Sequence, residues 1–146
     1  MSPFTRSSST SSIESGVADR PSPRRPCTER ILLVDDEAVL RQLARTILQR
    51  QGYTVVEASG PAEALELAAA QPDSFDLILA DVMMPGMRGW EMVDRLRASQ
   101  PRARVLYMSG YAGELESAID KVRPLLEKPF KPLELIDEVR RVLDAT

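Results

Sequence analysis

From Arg30 onward, short runs of large apolar residues alternate with longer stretches in which apolar residues recur every three or four positions. The runs at 31–34 and 77–80 contain no polar residue, which is typical of strands that helices cover on both faces. This alternation predicts βα units built around a buried parallel sheet. The predicted strands are residues 31–34, 53–57, 76–80, 104–108 and a weaker 125–126.

The stretches between the predicted strands have helical periodicity. The first carries an apolar stripe and is followed by Gly52, a helix-terminating signal; the stripe consists of Leu40, Leu43, Ala44, Ile47 and Leu48. Further helices are predicted over 61–71, 89–99, a short 114–122 and from about 132 onward. Five strands and five helices in this order predict a doubly wound α/β fold, a three-layer αβα sandwich of the flavodoxin-like type with strand order 2-1-3-4-5.

The first 29 residues differ in composition from the rest of the chain. They contain eleven Ser or Thr and four Pro, with almost no large apolar residue. Such a segment cannot bury enough surface to offset the loss of chain entropy, so we expect 1–29 to be a disordered tail and 30–146 to be the folded domain. The sequence contains neither the apolar core of a secretory signal nor an apolar run that could span a membrane, so the expected compartment is the cytoplasm.

The composition excludes several kinds of chemistry. The sequence contains no histidine, which excludes Ser-His and Cys-His nucleophile pairs, histidine-ligated zinc and phosphate transfer through a histidine of this chain. Its single cysteine, Cys27, cannot form an internal disulfide. The formal net charge of −3 gives no reason to expect direct binding of nucleic acid.

Acidic side chains follow the first and third predicted strands. Asp35 and Asp36 end the first strand, and Asp81 ends the third. In an open α/β sheet, ligands bind outside the carboxyl ends of the strands where the winding reverses, which here lies between these two strands. Three carboxylates in one crevice repel one another unless a cation lies among them, and oxygen ligands without histidine favour Mg²⁺ or Mn²⁺.

A hydroxyl and an ammonium group are predicted at the same edge, because Ser109 follows the fourth strand and Lys128 follows the fifth. Each of these signals has an ordinary structural explanation when it is taken alone. Acidic residues suit a helix N-terminus, Asp81 precedes a Pro-Gly turn, Ser109 suits a helix cap and Lys128 suits a solvated surface. Their occurrence in this order at four strand ends favours one shared site over four coincidences.

In these residues the chain resembles the receiver domains of two-component response regulators, especially those joined to hybrid sensor kinases. The resemblance covers essentially all of the predicted folded domain. It implies a phosphoryl-controlled switch, in a phosphorelay or a two-component pathway, rather than a metabolic enzyme. Four segments match the family's motifs in order and at close to its spacing: LLVDDE at 32–37, DVMMPGMRG at 81–89, MSGY at 108–111 and EKPF at 127–130.

The resemblance also implies a role for each candidate residue. Asp81 would be the phosphoacceptor, and Lys128 and Ser109 would bind the phosphoryl oxygens. The implied donor is a histidine kinase or a histidine phosphotransfer protein, and a downstream target protein would bind the switched state. The implied Mg²⁺ ligands are Asp36, Asp81 and the backbone carbonyl of Met83, with Asp35 acting through water.

Two features depart from the family's pattern. Three residues before the lysine, where receivers usually carry a Tyr or Phe that moves with the hydroxyl residue, this chain has Leu125. Tyr111, two residues after Ser109, is the alternative candidate for carrying the conformational signal, against the simpler interpretation of a half-exposed tyrosine. Only 18 residues separate Ser109 from Lys128, so the fourth helix is expected to be short.

Two functional interpretations stay open from the sequence. The first is a phosphorylatable receiver, and the second is a receiver-fold binding module that signals without phosphate, which Leu125 keeps open. A phosphatase of the haloacid dehalogenase type needs Asp-x-Asp after the first strand, and the VDDE segment at 34–37 lacks that pattern. No output domain follows the folded part in this sequence, so DNA binding is not expected.

Overall fold

The computed structural model describes residues 28–110 and 124–145. None of the four helices in these ranges has the length and apolar character of a membrane span. The predicted fourth helix at 114–122 and the candidate switch residue Tyr111 lie outside the described residues. The elements are β1 (Arg30–Val34), α1 (Ala38–Arg50), β2 (Thr54–Ala58), α2 (Pro61–Ala70), β3 (Leu77–Asp81), β4 (Met83–Met84), β5 (Met87–Arg88), α3 (Gly89–Leu96), β6 (Arg104–Ser109), β7 (Leu125–Glu127) and α4 (Pro132–Asp144).

Five of the strands form one parallel sheet with the order β2-β1-β3-β6-β7. The chain begins in the sheet at β1, adds β2 on one side, and then crosses over to add β3, β6 and β7 on the other. The predicted strand order is confirmed, since β6 and β7 are the fourth and fifth predicted strands. The winding reverses between β1 and β3, so the carboxyl ends of these two strands border the crevice that the sequence predicts.

Helices cover both faces of this sheet. On β1, Ile31 and Leu33 pack with side chains of α1 and α4, whereas Leu32 and Val34 pack with side chains of α2 and α3. All four residues are fully buried. Because successive side chains of a strand point to opposite faces, burial of both faces requires an unbroken apolar run, and this explains why β1 and β3 lack polar alternation.

The apolar stripe predicted for α1 is one residue too wide. Ala44, Ile47 and Leu48 are buried as expected, but Leu43 is 46% exposed. With 3.6 residues per turn, Leu43 lies about 90° around the helix from the middle of the buried face. The predicted extent of the third helix is also too long, because α3 ends at Leu96.

A short antiparallel hairpin, formed by β4 and β5, was not predicted. It pairs residues 83–84 with residues 87–88 and lies directly after β3. Gly86 in its turn has a φ of +88°, a backbone conformation that residues with a side chain rarely adopt. Strands of two residues carry no periodicity, so the sequence indicated only a turn at this place.

The first described contacts lie just before β1. The backbone carbonyl of Glu29 accepts a hydrogen bond from the N–H of Thr54 at 3.2 Å. The Glu29 carboxylate pairs with the guanidinium of Arg140 at 2.7 Å. The start of β1 is therefore joined to both β2 and α4, at the edge of the sheet opposite the carboxyl ends of the strands.

Candidate functional site

Three carboxylates lie together at the carboxyl edge of the sheet. Asp35 and Asp36 directly follow β1, and Asp81 is the last residue of β3. One carboxylate oxygen of each residue lies within 4.8 Å of those of the other two. Asp35 and Asp81 are buried, whereas Asp36 is exposed. The structure thus brings together the three acidic residues that the sequence singles out, in a cluster that opens to solvent at Asp36.

Asp35 is held by several protein donors. Its Oδ1 accepts a hydrogen bond from the backbone N–H of Glu37 at 2.9 Å, and its Oδ2 accepts one from Lys128 Nζ at 3.0 Å. Its backbone carbonyl accepts from Arg41 Nη1 at 2.7 Å, and Arg41 is held in turn by Glu57 at 3.0 Å. Both carboxylate oxygens of Asp35 therefore accept hydrogen bonds from the protein.

Asp81 has a buried carboxylate with two donors. Its Oδ1 accepts from the backbone N–H of Met83 at 3.3 Å, and its Oδ2 accepts from Lys128 Nζ at 3.3 Å. Burial raises the pKa of Asp81 to about 6; the negative charge of Asp35 adds to this effect, and Lys128 and the Met83 N–H oppose it. A raised carboxyl pKa means that the ionised form lacks stabilising positive charge, so a cation brought to this side chain would be bound favourably.

The backbone of Asp81 is in close contact with the start of α3. A Cβ atom built on Gly89 would lie 2.4 Å from the carbonyl oxygen of Asp81, so this position accepts only a residue without a side chain. The N–H of Gly89 donates to the carbonyl of Val82 at 2.8 Å. The first turn of α3, which carries the half-buried Trp90, is therefore fixed against the residue that ends β3.

Lys128 lies at the centre of the cluster. Its Nζ donates to Asp35 at 3.0 Å, to Glu37 at 3.1 Å and to Asp81 at 3.3 Å, and its side chain is 9% exposed. Burial by itself lowers the pKa of this lysine, but hydrogen bonding to Asp35 and the charges of Asp35 and Asp81 outweigh burial, so its pKa is raised. The ammonium is therefore charged at neutral pH. The peptide bond to Pro129 is cis.

Ser109 and Leu125 lie on the neighbouring strands. Ser109 ends β6 and is 1% exposed, and its backbone carbonyl accepts from the N–H of Lys128 at 2.8 Å. Leu125 is half-buried and pairs in register with Tyr107 of β6. Burial raises the pKa of Tyr107 to about 12. The position at which receivers usually carry an aromatic residue is thus filled by an aliphatic side chain beside a buried tyrosine.

Three contributors to this site were not identified from the sequence. Glu37 contacts Lys128, Arg41 supports the backbone of Asp35, and Gly89 allows the close approach to Asp81. Glu37 directly follows the acid pair, and Arg41 lies one helical turn after Glu37, so the positions of both residues in the sequence indicated that they lie near the site. The contacts that these residues make could not be predicted in the same way, because Glu37 and Lys128, for example, are 91 residues apart in the chain.

The donor set fits a hard divalent cation. Mg²⁺ binds oxygen ligands at about 2.1 Å, so its ligand oxygens lie within about 4.2 Å of one another. One carboxylate oxygen from each of Asp35, Asp36 and Asp81 lies within 4.8 Å of the other two, which is close to this span. Three carboxylates contact the ammonium of Lys128, and Asp36 adds a fourth beside Asp35 and Asp81, so negative charge is in excess.

Comparison with known families gives one extended match. Residues 31–140 match the model of the response regulator receiver domain. The sensor kinase CckA of Brucella abortus is 35% identical over 120 residues, which are 78% of this chain but only 12% of the kinase. The response regulator receiver protein CpdR of the same organism is 30% identical over 120 residues, which are 80% of this chain and 98% of CpdR.

Comparison with solved structures gives the same result. The receiver domain of the hybrid histidine kinase CckA superposes with a TM-score of 0.69 at 34% sequence identity, over 79% of this chain and 99% of that domain. The chain therefore matches a small part of one relative and nearly the whole of another. Both the strand topology and the sequence agree with these proteins over the folded domain.

Proposed function

The chain belongs to the response regulator receiver domain family, and from this membership we propose that it accepts a phosphoryl group from a phosphohistidine donor onto Asp81. In this proposal Mg²⁺ assists the transfer, and the phosphorylated chain adopts a second conformation that binds a partner protein. The donor is a histidine kinase or a histidine phosphotransfer protein, and the exchange takes place in the cytoplasm. The chain catalyses only its own phosphorylation and dephosphorylation.

The observation that carries this proposal is the contact between Asp81 and Lys128. A buried carboxylate with a raised pKa lies 3.3 Å from a charged ammonium, beside a second buried carboxylate. A carboxylate attacks phosphorus only when the negative charge on the incoming oxygens is neutralised. An ion pair that served stability alone would not need Asp36, which stands exposed at the mouth of the same cluster.

The proposed metal ligands are Asp36, Asp81 and the backbone carbonyl of Met83, with Asp35 acting through water. When bound, the ion supplies positive charge to the phosphoryl oxygens. The turn after β3 supports this assignment, because the Met83 N–H already bonds Asp81 Oδ1 and so holds the two candidate ligands beside each other.

The transfer step needs few protein groups. An Asp81 carboxylate oxygen forms a bond to phosphorus while the bond between phosphorus and the donor's imidazole nitrogen breaks, and the electron pair stays on that nitrogen. Lys128 and Ser109 then hydrogen-bond the phosphoryl oxygens of the resulting acyl phosphate. Ser109 ends β6 and Lys128 follows β7, and the Ser109 carbonyl accepts from the Lys128 N–H at 2.8 Å, so we expect a change at one of them to affect the other.

Incubation of the protein with Mg²⁺ and acetyl phosphate, followed by measurement of the intact mass, tests the proposal. We expect the wild type to gain the mass of one phosphoryl group and Asp81→Asn to gain none. Omission of Mg²⁺ should slow the gain strongly. A wild type that gains no mass with acetyl phosphate or with a phosphorylated histidine phosphotransfer protein would overturn the proposal.

The second candidate is a receiver-fold binding module that acts without phosphate. The half-buried Leu125, in place of an aromatic residue, is the observation that favours it. If the chain is such a module, the wild type and Asp81→Asn should bind the partner protein with equal affinity. The mass measurement separates the two candidates before any partner is known.

A further inference from the structure

The ammonium of Lys128 uses its whole donor capacity within the cluster. A lysine ammonium has three N–H bonds, and the Nζ of Lys128 donates to one carboxylate oxygen each of Asp35, Glu37 and Asp81. To donate to an oxygen of a phosphoryl group on Asp81, it must give up one of these bonds. The residue that releases it therefore influences how tightly the phosphoryl group is held.

The three carboxylates differ in how easily they can release the lysine. The side chain of Asp35 is 1% exposed and that of Asp81 is 8% exposed, whereas that of Glu37 is 60% exposed. A buried carboxylate that keeps its charge and loses its cation, as Asp35 would, is left without solvation, which is strongly unfavourable. Asp81 differs from Asp35, because its carboxylate charge is lost once one of its oxygens is bonded to phosphorus. An exposed carboxylate is rehydrated, so its ion pair contributes little to stability and exchanges readily. Of the two carboxylates that keep their charge, Glu37 is thus the one that releases the ammonium readily, and its attraction opposes the movement of the ammonium toward an incoming phosphoryl group.

We propose that Glu37 is a positioning residue that holds Lys128 in its resting place and competes with the phosphoryl group for the ammonium. This inference rests on the proposed function, since it concerns the lysine that binds the phosphoryl oxygens. Glu37 sets the balance between the free and the phosphoryl-bound state through this competition, without contact to the reacting atoms.

The backbone of Glu37 is held independently of its carboxylate. Its N–H donates to Asp35 Oδ1 at 2.9 Å, and its carbonyl accepts from the N–H of Arg41 at 2.9 Å in the first turn of α1. Glu37→Gln keeps these bonds and the size of the side chain while it removes the charge. Glu37→Asp keeps the charge, but the shorter side chain at this N-cap position bonds its own helix instead of reaching Lys128.

Beryllofluoride, which binds aspartate as a mimic of a phosphoryl group, is the probe for the test. The wild type and the variants are titrated with it at saturating Mg²⁺, and the bound species is followed by fluorine NMR. We expect Glu37→Gln to bind it roughly two- to fivefold more tightly than the wild type, the range given by the loss of an exposed ion pair. Glu37→Asp should also bind more tightly, because it lacks the contact.

The matched control is Glu63→Gln, an exposed glutamate whose carboxylate bonds Ser59 at the start of α2. It removes the same charge without touching Lys128, so its affinity for beryllofluoride should equal that of the wild type. If the wild type binds beryllofluoride and Glu37→Gln binds it no more tightly than the wild type, the proposed competition is overturned. Tighter binding by Glu63→Gln to the same degree would also overturn it, because net charge would then be the cause.

A second measurement needs neither metal nor phosphoryl mimic. Lys128 is one of three lysines in the sequence, so the proton exchange of its ammonium group can be followed by nitrogen-15 NMR in the metal-free protein. We expect faster exchange in Glu37→Gln than in the wild type and no change in Glu63→Gln. Unchanged exchange in Glu37→Gln would contradict the resting contact. If the wild type binds no beryllofluoride and Asp81 gains no phosphoryl group, the proposed function fails together with this inference.

Discussion

A Cβ atom at Gly89 would lie 2.4 Å from the backbone carbonyl oxygen of Asp81. The first residue of α3 therefore packs directly against the residue that we propose as the phosphoacceptor. The glycine at this position serves the site by allowing the helix to begin close to β3. Movement of α3 and displacement of Asp81 are coupled by this contact, and Trp90, the next residue in the helix, is well placed to report on both.

Gly89→Ala should disturb the site as well as the fold. The added methyl group meets backbone atoms, which cannot rotate away, so we expect the free energy of unfolding to fall by about 2 kcal/mol. In the folded fraction, Mg²⁺ affinity measured through Trp90 fluorescence should fall roughly tenfold because Asp81 is displaced. Gly60→Ala is the control, since a Cβ there meets nothing within 4 Å. If the Gly89→Ala protein has normal stability and normal Mg²⁺ affinity, then α3 can shift without affecting Asp81.

Asp81→Asn should change the dependence of stability on pH in the metal-free protein. The pKa of Asp81 is about 6 in the folded chain, whereas the ordinary pKa of an aspartate, which we take for the unfolded chain, is 3.8. Between these values the folded chain holds the proton and the unfolded chain has lost it, so stability decreases as the pH rises through this window. We expect Asp81→Asn to remove this decrease and to be more stable than the wild type above pH 6 by about 1–2 kcal/mol.

The free energy of unfolding, measured against pH for the wild type and for Asp81→Asn, gives two profiles, and their difference reports on Asp81 alone among the carboxylates. Asp36→Asn neutralises an exposed carboxylate of the same cluster and should retain the decrease between pH 4 and pH 6, the window bounded by the two values for Asp81. Saturating Mg²⁺ should raise the stability of the wild type and not that of Asp81→Asn, because a ligand stabilises the state that binds it. Parallel profiles for the wild type and Asp81→Asn would mean that the ionised carboxylate is well stabilised without a metal ion.

The fold was predictable because its signals are long and repeated. The apolar runs of β1 and β3 extend over four residues or more, and proline or glycine marks the start of α2 and α4. Local packing was less predictable. The exposure of Leu43 depends on how α1 is rotated against the sheet, and the hairpin of β4 and β5 depends on a few hydrogen bonds in strands too short to show a period.

The sequence predicted which residues lie together in the site, because the carboxyl ends of parallel strands lie at one edge of the sheet. The bonding pattern within it was not. The contact between Glu37 and Lys128 depends on the rotamers of two long side chains, and the support of Asp35 by Arg41 depends on where the first turn of α1 faces. Neither is encoded in spacing along the chain.

Gln100→Met should destabilise the fold without affecting the site. The buried Gln100 amide accepts from the N–H groups of Ser74 and Phe75 at 3.0 and 3.1 Å and donates to the carbonyls of Ala68 and Gln71 at 3.0 and 2.7 Å. Methionine fills the space but leaves the N–H groups of Ser74 and Phe75 without this acceptor, whereas the carbonyls of Ala68 and Gln71 keep their bonds from the Gln71 N–H and the Ser74 hydroxyl. The free energy of unfolding should therefore fall by about 2 kcal/mol.

The control for this change is Gln49→Met, on the exposed side of α1, which should alter stability by less than about 0.5 kcal/mol. Denaturant midpoints of the two variants provide the measurement. Because Gln100 bonds the segment that precedes β3, and the candidate site lies beyond the other end of that strand, the folded Gln100→Met protein should bind Mg²⁺ normally. Weakened Mg²⁺ binding in the folded state would mean that β3 transmits the disturbance along its length.

Arg41→Gln should weaken Mg²⁺ binding although Arg41 is no candidate ligand. Its guanidinium bonds the backbone carbonyl of Asp35 and the carboxylate of Glu57 and is only 16% exposed, so it fixes the turn that presents Asp35 and Asp36. Loss of such support behind metal ligands typically lowers affinity by about tenfold or more, which Trp90 fluorescence or calorimetry can measure. Arg50→Gln, at the exposed end of α1, removes the same charge away from the turn and should leave the affinity unchanged. Equal affinities for the two variants would mean that the turn after β1 keeps its shape through the Asp35 and Glu37 hydrogen bonds alone.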